Sequence, residues 1–315
     1  TVYGDWVLEH KEHLKEYMTC FYGDSAVGMA EIVYAEVCYQ RNDCFAAITT
    51  LVGSIPFIEK KGEIAVLFVA LSLQMKIMIA TGQIAVVYPM LDQIYQRLYA
   101  GKSRWLFENF SALRAKGMLY DGDVHTILQW MENEAPNELG ELCMLDTYKY
   151  MVKMRAYILE EKYLAAISLS EYLKKPLQQG GRVMDLCEIE LLCAISYFLD
   201  GNPAEAYTIL DSILPIIEER RFDRLVADEG EKVYFLLRNY KKERQSDRAY
   251  LDQLILLAKR MALLYPDYLR RPKEDYQPLT ETEQEILCLM EDERSNNEIA
   301  EFMDVSINTV KFHIK

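Results

Sequence analysis

Glycine and proline are scarce in this chain, at 14 and 9 of 315 residues. That excludes a protein built from many tight β-turns, and the abundant Leu, Ile, Ala, Glu and Lys favour helix throughout. The seven cysteines (Cys20, Cys38, Cys44, Cys143, Cys187, Cys193 and Cys288) are scattered, odd in number and free of any CxxC pair. Neither a disulfide framework nor a thiolate metal site has that pattern; a reduced, cytoplasmic setting does. Apolar runs such as Ile64 to Leu73 are too short to cross a bilayer, and Thr1 opens no charged-then-apolar secretory signal. No membrane partner is expected. Positive charge is also in short supply: 35 Lys and Arg against 49 Asp and Glu leave a net charge of −14, the wrong sign for a surface that grips phosphates along its length.

What is present is apolar surface and a period. Hydrophobic residues make up 51% of the chain, enough to bury a core, and 315 residues exceed the size at which single cores usually stop growing. From Asp24 to about Pro266 the chain reads as helix pairs, with turns aligning at Tyr39-Gln40-Arg41-Asn42-Asp43, Ile79-Ala80-Thr81-Gly82-Gln83, Leu119-Tyr120-Asp121-Gly122-Asp123, Leu159-Glu160-Glu161-Lys162-Tyr163 and Leu199-Asp200-Gly201-Asn202-Pro203, each 40 residues after the last. Seven residues into that register stand Ala46, Val86, Thr126, Ala166 and Ala206, where the second helix of a pair must approach the first. Leu51, Leu91 and Met131 follow one turn later, with Glu171 and Asp211 breaking the pattern. Six or so pairs in a right-handed solenoid are expected. Thr1 to Asp24 adds one amphipathic stretch (Trp6, Val7, Leu14, Tyr17, Met18, Phe21), read as the remnant of a preceding pair. Three prolines between Pro266 and Pro278 mark residues 266–278 as a linker.

Beyond the linker, residues 279–315 carry helix-start signals in series. Thr280 with Glu283 and Ser295 with Glu298 form capping boxes, and Ser306 caps a third helix. Ala300 lets two helices cross closely, while Ile299, Met303, Val305, Val310 and Ile314 supply a small core. Asp304 occupies the turn, where glycine is common. This segment is itself acidic, with three basic and nine acidic residues, so any DNA affinity must concentrate on the third helix and beyond.

The repeat unit, as in Tyr157-Ile158-Leu159-Glu160-Glu161-Lys162-Tyr163-Leu164-Ala165-Ala166-Ile167, resembles the tetratricopeptide family, although its spacing of 40 departs from the roughly 34 residues usual there. The terminal blocks Leu279-Thr280-Glu281-Thr282-Glu283-Gln284-Glu285-Ile286-Leu287, Ser295-Asn296-Asn297-Glu298-Ile299-Ala300 and Val305-Ser306-Ile307-Asn308-Thr309-Val310-Lys311-Phe312-His313-Ile314-Lys315 resemble the LuxR-type DNA-binding family. One departure is Glu293, where that family usually has glycine. The resemblance implies that the third helix enters the major groove, that Lys311, Phe312 and Lys315 face DNA with Thr309 near the backbone, and that His313 packs rather than reads bases.

An acidic helical array followed by such a head resembles the MalT-like LuxR regulators. That implies promoter DNA and an unidentified small-molecule or protein effector as partners, self-association on DNA, no cofactor within these residues, and ATP only in an upstream domain. With no initiator Met at residue 1 and the third helix ending at Lys315, the sequence is read as a segment of a longer regulator that cannot shift DNA by itself.

Other signals carry less. Gly101-Lys102-Ser103 imitates the end of a phosphate-binding loop, but Gln96 replaces the required glycine and no strand precedes it. His10 and His13 lack a third ligand. No nucleophile and base can be paired, so no enzyme is expected. Most of the 22 tyrosines are expected at helix contacts, and effector-binding residues are not placed by the sequence. The expected fold is all-α: an α-solenoid of tetratricopeptide-like helix pairs over 1–265, then a truncated helix-turn-helix over 279–315. The alternative is a helical-repeat scaffold for a protein or peptide, carrying a vestigial head.

Overall fold

A computed structural model describes residues 2–138, 144–271, 281–291, 294–303 and 305–314. Two compact units result, 1–271 and 272–315. The first opens with α1 (Val2–Glu9) and α2 (Lys11–Tyr22), followed by helix pairs: α3 (Met29–Gln40) with α4 (Cys44–Lys61), α5 (Ile64–Ala80) with α6 (Val87–Ala100), α7 (Phe107–Tyr120) with α8 (Val124–Asn133), α9 (Thr147–Leu159) with α10 (Tyr163–Gln179), and α11 (Val183–Leu199) with α12 (Pro203–Arg220). A short α13 (Asp223–Ala227) then precedes a last pair, α14 (Gly230–Arg244) and α15 (Ala249–Leu264). The second unit holds α16 (Glu281–Glu291), α17 (Asn296–Phe302) and α18 (Ile307–His313). Among the described residues there is no strand.

The turn inside each of the first five pairs closes identically. The N–H of Asp43, Gln83, Asp123, Lys162 and Asn202 donates to the carbonyl five residues back, at 2.8–3.0 Å. The preceding residue stands at positive φ: Asn42 (61°), Gly82 (84°), Gly122 (75°), Glu161 (60°) and Gly201 (83°). This left-handed closure satisfies carbonyls that the helix end leaves unpaired. Glycine adopts it without steric cost, which explains three of the five positions. Where the helix restarts, Asp43 accepts from Ala46 N–H at 2.9 Å and Asp123 from Thr126 N–H at 3.1 Å, so the same residue ends one helix turn and caps the next helix.

These bonds also reset the register. Asp43, Gln83 and Asp123 follow at intervals of 40, but Lys162 comes 39 after Asp123 and Asn202 comes 40 after that. The uniform 40-residue alignment therefore slips by one between the third and fourth pairs. The fully buried small or branched residues four positions after those turn donors are Ala47, Val87, Ile127, Ala166 and Ala206, each 0% exposed. Ala46, Val86 and Thr126 are only half-buried neighbours. One turn further on lie Leu51, Leu91, Met131, Ser170 and Leu210, of which all but Met131 are buried. Glu171 and Asp211 are thus one residue out of phase rather than breaks in the repeat.

The same slip reveals a ladder in the first helices. Four residues before the last residue of α3, α5, α7 and α9 stand Glu36, Lys76, Lys116 and Arg155. Arg155 is 1% exposed and donates to Glu188 Oε1 on α11 at 2.7 Å, to Met151 O at 3.0 Å and to Glu229 Oε1. Lys116 approaches Glu188 at 3.8 Å.

The chain closes this array on itself. Every residue of α13 is buried, and Leu225 N–H donates to Gln40 Oε1 at 3.0 Å, 185 positions earlier in sequence. Tyr39 donates to Asp228 Oδ2 at 2.5 Å, Tyr120 to the Asp228 carbonyl at 3.1 Å, Tyr265 to the Ile79 carbonyl at 2.7 Å and Tyr268 to Glu229 Oε2 at 3.1 Å. Tyr120 stacks on Tyr268 with ring centroids 4.3 Å apart. Tyr268 and Leu269 are 1% and 2% exposed, so residues 266–271 belong to the array and are not linker. Pro266 does end α15, as proline bars further helix, but the chain then turns inward because Tyr268 and Leu269 have apolar surface to bury. The rest of the expected linker, 272–278, lies outside the described residues.

At the opposite end Val7 and Leu14 pack against Ala30, while Trp6, Tyr17 and Phe21 stay exposed. The Gly101-Lys102-Ser103 imitation of a phosphate loop is another such turn, with Lys102 at φ 50° and Ser103 N–H bonded to the Leu98 carbonyl at 3.2 Å.

Candidate nucleic-acid interface

Three short helices enclose a minimal core in the second unit. Ile286 and Leu289 of α16, Ile299 and Ala300 of α17 and Val310 of α18 are buried, with Met303 half-buried against them. Ser295 and Glu298 form a reciprocal capping box: Ser295 N–H donates to Glu298 Oε2 at 2.8 Å, and Glu298 N–H to Ser295 Oγ at 3.4 Å. The Ser295 hydroxyl, then its backbone N–H, hold the Glu298 carboxyl below its ordinary pKa. The expected cap at Thr280, the turn residue Asp304 and the loop residue Glu293 lie outside the described residues.

The core is smaller than the sequence pattern suggests. Val305 and Ile314 are 37% and 39% exposed, so neither contributes as expected. Val305 N–H donates to the Ala300 carbonyl at 3.0 Å, which places the residue in the inter-helix turn, and Ile314 caps the end of α18. So small a unit has too little chain to cover both.

Ser306 starts α18 by accepting from Thr309 N–H at 3.1 Å, and the two hydroxyls lie 2.8 Å apart. Thr309 is half-buried at the helix start. With about 100° between successive residues and Val310 pointing into the core, Asn308 and Phe312 occupy the outward face, flanked by Lys311. All three are exposed, Phe312 at 76%. Lys315 lies outside the described residues. Asn308 escaped the sequence reading, although it stands four residues before Phe312 and so shares its face. His313 is half-buried on the side of α18 facing α16, with Nδ1 3.6 Å from Glu283 Oε1 and its ring edge-on to Phe312 at 5.4 Å.

A capped recognition-type helix, crossed closely by a second at Ala300, follows an array of helix pairs. The family model described as MalT-like TPR region matches residues 21–243, and that of bacterial regulatory proteins of the luxR family matches 277–315. The chain belongs to the MalT-like regulators of the LuxR family. No curated protein matches it significantly. As a member it is a bacterial DNA-binding transcriptional regulator, with α3 to α13 and all but the last residue of α14 inside one matched region and α16 to α18 inside the other. No helix among the described residues is long and apolar enough to cross a membrane. His10 and His13 have ring centroids 5.8 Å apart, and no group of three potential metal ligands occurs among the described residues.

Proposed function

We propose that the array of this regulator receives an effector and that α18 delivers it to promoter DNA through Thr309, Lys311, Phe312 and Lys315. The observation that carries the reading is the outward face of α18, where exposed Asn308, Lys311 and Phe312 stand opposite buried Val310 in the segment matched by the luxR model. Lysine suits phosphate oxygens or guanine acceptors, threonine at a helix start suits a phosphate, and Asn308 can read adenine from the same face. In this reading the protein works in the cytoplasm, self-associates on DNA, catalyses no reaction and needs no cofactor within these residues.

Deleting residues 279–315 from the full-length regulator tests it in a promoter-fusion assay. The reading expects the transcriptional response to vanish while the array still folds by circular dichroism. A response that survives the deletion supports the scaffold alternative instead.

A further inference from the structure

Three partly open cavities of about 60, 340 and 440 Å³ lie in the array, and Glu36 and Lys76, neighbouring rungs of the ladder, line all three. The second is largely apolar, with Phe68, Val69, Leu73, Leu106 and Leu113 in its wall; Tyr148 borders both it and the first. Its size falls in the range of small-ligand sites, about 300–1,000 Å³.

The charges along this interior divide into two groups. Arg155 is satisfied by Glu188 and Glu229, and Arg224 is paired with Asp228, although its Nε has no hydrogen-bond partner. Lys76 and Glu36 are not satisfied. No hydrogen bond or ion pair engages the Lys76 ammonium among the described residues, and Glu36 accepts only from the Gln40 amide, at 2.9 Å. The Tyr148 hydroxyl is sealed from solvent and has no partner either. A cation, an anion and a hydroxyl donor thus border one interior space without being paired to each other. Leaving the sealed Tyr148 hydroxyl unpaired costs free energy that a complementary ligand recovers, while half-buried Lys76 and Glu36 stay open to a ligand's opposite charges.

We propose that this chamber binds a zwitterionic α-amino acid with an apolar side chain, which deepens the effector reading above and rests on it. The ligand carboxylate meets the Lys76 ammonium, its ammonium meets Glu36, its side chain enters the space walled by Phe68, Leu73 and Leu113, and the sealed Tyr148 hydroxyl turns to donate to the carboxylate as the ligand enters. A phosphate fits poorly, because Glu36 and Glu188 share the interior. A neutral sugar leaves both unpaired charges unanswered. Tyr148 is a proton donor at any physiological pH, since burial pushes its hydroxyl up to about 12 against the opposing pull of Lys76 and Arg155. Lys76 is cationic: burial disfavours its charge, but Glu36, Tyr148, Glu188 and Asp228 raise its pKa above the ordinary lysine value.

Calorimetry on the full 315-residue chain tests the proposal with L-leucine, L-phenylalanine and L-methionine, each beside its des-amino and des-carboxy analogue, with maltotriose and inorganic phosphate for comparison. At least one amino acid is expected to bind, and its two analogues to bind at least about tenfold more weakly. Lys76→Met and Glu36→Gln should each weaken binding by about tenfold or more, and Tyr148→Phe by about threefold to tenfold. Tyr148→Phe removes a hydroxyl that bonds nothing in the free protein, so its apo melting temperature should not fall, which separates ligand loss from misfolding. Equal binding of an analogue, or of sugar or phosphate, overturns the amino-acid class and leaves the effector reading standing. Binding by no member of the panel to the folded chain overturns the proposal, while the promoter-fusion deletion judges the regulator reading independently.

Discussion

At the scale of the residue, the array depends on pairing its most deeply buried charges, Arg155 with Glu188 and Glu229. Glu188 faces three cations: burial alone would raise its pKa, but Arg155, Lys116 and Lys76 hold the carboxyl at about 2, against 4.5 for an ordinary glutamate. A carboxyl depressed in the folded state stabilises fully above its unfolded pKa, and that contribution is lost as pH falls through the folded value. The contribution is therefore complete above pH 4.5 and disappears toward pH 2. Glu188→Gln should lower stability at pH 7 by on the order of 3 kcal/mol, with the gap from wild type closing as pH falls, as urea unfolding at neutral and acid pH would read. Lys116 shows the converse, since burial and then Arg155 pull its pKa down to about 8.

At the scale of the element, each helix pair needs one small or branched residue where its second helix meets the first. Ala166 is fully buried at that place in α10, so Ala166→Leu should cost about 1–3 kcal/mol in urea unfolding, whereas Ala46→Leu, half-buried and one position out of phase, should cost less. The head depends equally on its caps. Ser306→Ala removes the acceptor of Thr309 N–H and should destabilise the three-helix unit by about 1 kcal/mol, visible in its melting. Both kinds of element were legible in the sequence because their signals are local: a turn glycine, a capping serine, an apolar residue three or four positions on. The one-residue slip was not. It falls between Asp123 and Lys162, where a longer connection joins α8 to α9, and no local signal records a change of spacing.

At the scale of the whole molecule, the regulator consists of an array that closes on itself and a minimal DNA-binding head. Closure was invisible to sequence reasoning because Tyr39, Gln40, Tyr265 and Tyr268 meet partners far away in sequence, and Pro266 read as the start of a linker. The ladder of Glu36, Lys76, Lys116 and Arg155 was missed for a different reason. Charged residues in mid-helix read as solvated, and only the intervals of 40, 40 and 39 mark these four as equivalent. The DNA-facing candidates were easier, since the three blocks of the head carry their own signature, yet Asn308 needed the outward face of α18 to be seen.

The measurement that bears most directly on the regulator reading is equilibrium binding of full-length protein to its promoter fragment and to scrambled DNA across a salt series, for wild type and Lys311→Ala. On the regulator reading, promoter binding is preferential and falls steeply with salt, and Lys311→Ala gives a weaker complex whose salt slope drops by about one if the lysine meets a phosphate, or a lost preference at one base pair if it meets guanine. Promoter binding that Lys311→Ala leaves unchanged in strength, slope and sequence preference, or no preference for promoter DNA at all, would contradict it.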